Sequence, residues 1–135
     1  MNGGFSIDVS EFTRGVERAL KDQAKREANA AEEVADWWLG EAKDLAPFCE
    51  GFLTADLTQE TGLDGQTRYA AVYVPANCPS ASYAITMHEG LYNLGKKSVS
   101  KARKLGKDVG PRFITRPMDY GREKIREIVF YCLRF

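Results

Sequence analysis

Tyr83-Ala84-Ile85-Thr86-Met87-His88-Glu89-Gly90 is followed by a basic run holding Lys96, Lys97, Lys101, Arg103, Lys104 and Lys107. Gly110-Pro111-Arg112-Phe113-Ile114-Thr115-Arg116-Pro117-Met118 then completes the stretch on which the fold turns. Its first part is a short apolar run closed by an acid and a glycine, and reads as a strand. Its last part returns to apolar residues and opens a helix. Between them, Leu91 to Val109 reads as a long charged loop pinned at both ends. Loops of that length without structure of their own are uncommon unless they are functional or disordered.

Downstream of this stretch, Thr115 can cap a last helix with Pro117 in its first turn, where the missing N–H costs nothing. Met118, Ile125, Ile128, Val129 and Leu133 form the expected buried face of that helix, although Val129 to Phe135 also fits a closing strand. Upstream, Thr67 to Val74 is aromatic and β-branched, and Leu53, Ala55 and Leu57 alternate with polar residues. The pair predicts a hairpin turning at Gly62-Leu63-Asp64-Gly65, where glycine tolerates positive φ.

Further back, Val9, Phe12, Val16, Leu20, Ala24, Ala28, Ala31, Ala35, Trp38, Ala42 and Leu45 recur every three or four residues. That is one apolar stripe on a long amphipathic helix, ending before Pro47. Asp8 and Glu11 are spaced as a capping box at its start, and Phe5 to Val9 alternates like a short edge strand. Gly15 and Gly40 are the places where the helix could break. Unbroken, it reaches roughly 50 Å, more than a domain of this size needs for its own core. Part of it is therefore expected to pack on another subunit. The adjacent Trp37 and Trp38 point about 100° apart on a helix, which makes them candidates for a subunit interface.

The expected fold class is α+β: a long N-terminal helix, a small antiparallel sheet of three to four strands with a long loop, and a C-terminal helix. With 135 residues, 44% hydrophobic and 28% charged, residues 1–135 are expected to form one domain. The formal net charge is zero, so any pull on nucleic acid or a membrane must be local. No apolar run is long enough to span a bilayer, and Met1-Asn2-Gly3-Gly4 does not open a secretory signal. Cys49, Cys78 and Cys132 are odd in number with no CxxC spacing, which argues against a disulfide or zinc scaffold and for synthesis in a reducing cytoplasm.

An enzyme reading has to use His88, the sole histidine, and a Cys/His thiol hydrolase is the form it would take. No cysteine has a recognisable nucleophile context, no metal-ligand spacing exists, and neither GxxxxGK nor GxGxxG occurs. No catalytic, cofactor or metal residue is expected. The basic segment is the best local charge signal. It could dock on an acidic neighbour, hold the phosphates of a DNA backbone as a small nucleic-acid-binding module, or simply confer solubility.

The order of these features resembles the small neck and tail-completion proteins, or minor tail components, of long-tailed bacteriophages. The matching positions are Ala46, Pro47, Gly51 and Leu53 in the turn, Tyr83, Ala84, Glu89 and Gly90 in the following segment, and Pro111, Phe113 and Ile114 before Pro117 and Met118. The turn departs from the family, which commonly has Pro-Val-Asp-Thr-Gly and a basic residue where this chain has Pro47-Phe48-Cys49-Glu50-Gly51-Phe52. The resemblance implies a structural virion subunit that forms a ring, read as a hexamer, at the head-tail junction. Its implied partners are other copies of itself, head-closure or connector proteins, tail-tube or tail-terminator proteins, and DNA in the lumen, with no membrane. On that reading Lys96, Lys97, Lys101, Arg103, Lys104 and Lys107 contact a neighbouring ring or DNA.

Overall fold

Helix α1 runs over Ser10–Leu45 as one unbroken element in the structure, a computed structural model that describes residues 10–48, 51–90 and 93–134, with only the backbone at Phe12. Neither Gly15 nor Gly40 interrupts it. The proposed edge strand at Phe5 to Val9 and the Asp8 half of the capping box lie outside the described residues.

Four elements follow α1 up to the basic segment: α2 (Phe52–Asp56), β1 (Thr58–Asp64), β2 (Thr67–Tyr73) and α3 (Ala81–Glu89). Then come α4 (Lys96–Leu105), α5 (Arg116–Tyr120) and α6 (Arg122–Leu133). The class is α+β, but among the described residues the sheet has two strands rather than three to four. Strands β1 and β2 are antiparallel, with Thr58 opposite Tyr73 and Asp64 opposite Thr67. Gly65, the first residue of the turn, has φ 64°, the backbone region where hairpin turns favour glycine. Gly62 lies within β1 instead, under the ring of its cross-strand partner Tyr69.

Three sequence expectations need correction. Leu53, Ala55 and Leu57 do not form a strand: Gly51, at φ 85°, opens α2, and the helical spacing buries Leu53 and Leu57 while Ala55 faces out. Tyr83 to His88 is not a third strand but the body of α3. There Ala84 and Met87, three residues apart, face the core and Ile85 is left 77% exposed. The supposed loop Leu91 to Val109 is mostly helix α4, closed by Gly106 in the left-handed conformation at φ 65°.

The last helix is also divided, into α5 and α6, at Gly121. A Cβ there would run into the Trp37 ring, so glycine is needed for close approach rather than for its φ of −98°. The C-terminal end is helical, not a strand, and Met118, Ile125, Ile128, Val129 and Leu133 are all half-buried.

The core gathers at the carboxyl end of α1. Ala42, Leu45 and Ala46 meet Leu53, Leu57, Val72, Ala84 and the fully buried Phe113. Of the family-like positions, Ala46, Leu53, Ala84 and Phe113 therefore converge on one point, with Ile114 packed against it. Farther back along α1, the small buried residues Ala30, Ala31 and Val34 let β2 and α6 come close.

Candidate functional site

The six cations of the basic segment do not act alike, because α4 has two faces. On its inner face the Lys101 ammonium donates to the carbonyls of Lys43 (2.6 Å) and Ala46 (2.7 Å), at the end of α1. Carbonyls in a last helical turn have no partner within the helix, and a cation there also suits the helix dipole. Gly110 N–H takes a third, Leu45 C=O, at 2.9 Å. Burial pushes the Lys101 ammonium below its ordinary pKa, with Asp44 opposing the shift. Three residues earlier, Ser98 Oγ accepts from Phe48 N–H (2.8 Å) and donates to Phe48 C=O (3.1 Å). Helix α4 is thus held to α1 and the following turn by a buried serine and a half-buried lysine.

Lys107 is also turned inward. Its ammonium contacts Asp44 (2.7 Å) and Glu41 (3.2 Å), and the Tyr120 hydroxyl donates to the same Glu41 carboxylate at 2.6 Å. The hydrogen bond to Asp44 leads in raising the Lys107 pKa; desolvation and then the Glu41 bond raise that of Tyr120. This cluster ties α1 to α5 and to the segment after α4. Glu41 and Asp44, three apart on the last turns of α1, were its only trace in the sequence.

Lys96, Lys97, Arg103 and Lys104 remain exposed. Lys96, Lys97 and Lys104 border an open groove of about 660 Å³ with Phe48, Thr54, Ser100, Lys101 and Leu105. Phe48 is 38% exposed and Leu105 43%, so the groove is apolar below and positive at its rim.

The two tryptophans singled out as interface candidates are both half-buried. Trp38 Nε1 donates to Ile114 C=O at 2.7 Å, and Trp37 stacks into the space that Gly121 leaves open.

Among the described residues, no thiol is hydrogen-bonded to His88. Nδ1 sits 2.8 Å from Glu89 Oε1, the ring meets Phe113 edge-on at 5.1 Å, and Nε2 is enclosed without a hydrogen-bond partner. Cys78 and His88 both line a second groove, between β2 and α3, yet neither ring nitrogen meets the Cys78 thiol. Cys49 lies outside the described residues, and the Cys132 thiol is pushed up by burial and by Glu33. Among the described residues, no group of three or more His, Cys, Asp or Glu is placed to hold a metal ion, and no helix is long and apolar enough to cross a membrane.

The other conspicuous surface is the amino-terminal half of α1. Every described side chain from 11 to 25 is exposed, including Val16 at 41% and Leu20 at 64%. Comparison with protein-family models, curated proteins and solved structures finds no match.

Proposed function

We propose that this chain is a structural subunit of a tailed-bacteriophage virion. It forms a ring at the head-tail junction, in a neck or a tail-terminator or completion role, that joins head and tail and lines the DNA channel. The observation that carries this reading is the bare half of α1. Residues 11–25 extend about 22 Å along the helix with every described side chain exposed, yet Val16 and Leu20 continue the apolar stripe that buries Ala31, Ala35 and Ala42 farther on. A helical overhang of that length gains little in water from its own hydrogen bonds, and the stripe has a use only against a neighbour. A ring subunit needs two different patches that meet head to tail and close. The resemblance to neck and tail-completion proteins supplies the context, and four of its apolar positions meet in one core.

The partners on this reading are further copies of the chain, a head-closure or connector ring, and a tail-tube or tail-terminator ring. No catalytic role is assigned to His88 or to any cysteine. A second reading, a small module gripping a nucleic-acid backbone, draws on the exposed Lys96, Lys97, Arg103 and Lys104.

Light scattering over a concentration series, with negative-stain imaging, separates the two. A closed species of about six subunits supports the ring. A strict monomer that binds DNA with a steep loss of affinity in salt supports the second reading.

A further inference from the structure

We infer that the groove between α4 and the turn after α1 receives the acidic middle of α1 from a second copy of this chain, forming the head-to-tail contact of the ring. The inference rests on the ring reading above and adds to it which surfaces meet. The groove poses two requirements at once. Its floor, with Phe48 and Leu105 exposed, asks for apolar atoms, and its rim, with Lys96, Lys97 and Lys104, asks for negative charge. A phosphate backbone satisfies the second and wastes the first.

The chain itself carries a surface that meets both. Asn29, Glu32, Glu33 and Asp36 lie at helical spacings of three and four on α1 and are all exposed, making one acidic stripe. Beside that stripe stands Tyr131 of α6, 61% exposed, with Phe130 next to it at 77%. Arg134, whose guanidinium lies 4.1 Å from the centre of the Tyr131 ring, is one cation against the three carboxylates of Glu32, Glu33 and Asp36. Aromatic side chains beside carboxylates match an apolar floor beneath ammonium groups in kind and in sign.

The two surfaces lie at different places on the molecule. Asp36 and the α1 end that carries α4 are about 13 Å apart along the helix. Each copy can therefore offer its groove to one neighbour and its stripe to the other, as a closed ring requires.

Charge reversal in pairs tests the contact. K96E/K97E and N29K/E32K both change exposed residues, and Asp36, which accepts a hydrogen bond from Gln59, and Glu33, which bonds the Cys132 thiol, are left alone. Each variant alone is expected to stay monomeric at concentrations where the wild-type ring forms. An equimolar mixture is expected to recover a ring of alternating copies, because both kinds of interface then pair opposite charges. The fourfold variant should assemble with itself. Recovery on mixing also shows that neither variant had failed to fold.

If the wild-type ring forms and both variants assemble as it does, the contact is wrong and the ring reading stands. If the wild-type chain never exceeds monomer mass, both fall. If K96E/K97E loses duplex-DNA binding while its ring mass is unchanged, the groove belongs to a nucleic acid and the inference is overturned.

Discussion

The two halves of α1 share one periodicity and have opposite fates. From residue 26 onward the stripe is covered by the hairpin, α6 and the turn, and Ala35 and Ala42 are fully buried. From 11 to 25 the described side chains at the same spacing are exposed. Periodicity states that one helix face is to be covered; it does not say by which chain. The buried half has its partner in its own molecule, and the bare half is what the proposed assembly has to explain.

The sharpest way to break the comparison is at the core where the buried half ends. Phe113 is 0% exposed and packs among Leu45, Ala46 and Ala84. Phe113→Ala is expected to cost about 3–5 kcal/mol, read as a drop in the denaturant midpoint of the purified chain. A much smaller cost would mean that the carboxyl half of α1 is not held by this cluster.

A smaller effect is expected at Lys101. Lys101→Met keeps the apolar stem and removes the donor to Lys43 and Ala46 C=O. Two carbonyls lose a charged donor, which destabilises, while a partly desolvated ammonium disappears, which offsets part of the loss. The net expectation is about 1–2 kcal/mol, against near zero for Lys97→Met on the outer face. The depressed pKa of Lys101 gives a sign to check. Between its folded value and 10.5 the unfolded chain binds more protons, so the cost of burying this lysine shrinks as pH rises toward 10.5.

These two faces of α4 also show where the sequence was legible. Helix α1 and strand β2 could be read because their inward residues are apolar, and patterns of apolar residues are what periodicity detects. Strand β1 is largely polar, and the first strand was expected at Leu53 to Leu57, where α2 lies instead. The inward pair of α4 is Ser98 and Lys101, so a search for apolar spacing sees only a charged loop. Gly95 and Gly106, the latter a left-handed cap, were the one local hint of a helix. Segment 83–88 misled for a different reason. Tyr, Ile and Thr favour strands, but here the tertiary context prevailed. Ser80 N–H donates to Asp56 Oδ2 at 2.9 Å at the start of α3, and His88 C=O accepts from Arg112 N–H at 2.7 Å at its end. Both partners are distant in sequence. The candidate site was legible as a set of cations, but not in its division between those that hold the fold together and those that face out.

The cluster of Lys107, Glu41, Asp44 and Tyr120 should show a still smaller effect with a distinct pH signature. Tyr120→Phe removes one hydrogen bond at a largely exposed site and is expected to cost at most about 1 kcal/mol at neutral pH. Tyr120 and Lys107 both hold their protons more tightly when folded. The folded state therefore binds more protons than the unfolded one above their ordinary values of 10.0 and 10.5. Their contribution is complete below about pH 10 and is lost as pH climbs through the folded values. In a denaturation series from pH 8 to 11, the variant should lose less stability at the alkaline end than the wild type. Parallel curves would show that the hydroxyl is not coupled to Glu41.

The smallest expected effect on stability is the most informative about the bare half of α1. Val16→Ser with Leu20→Ser removes exposed apolar surface, so the unfolding free energy of the monomer should move by less than about 0.5 kcal/mol. Lower helix propensity accounts for a few tenths of that. Assembly should respond in the opposite sense, with the ring species lost at concentrations where the wild type is fully assembled. Unchanged stability with lost assembly is the signature of a surface whose partner is another chain. If instead the double variant destabilises the monomer by several kcal/mol, the stripe is covered within the chain itself, and the contrast between the two halves of α1 disappears.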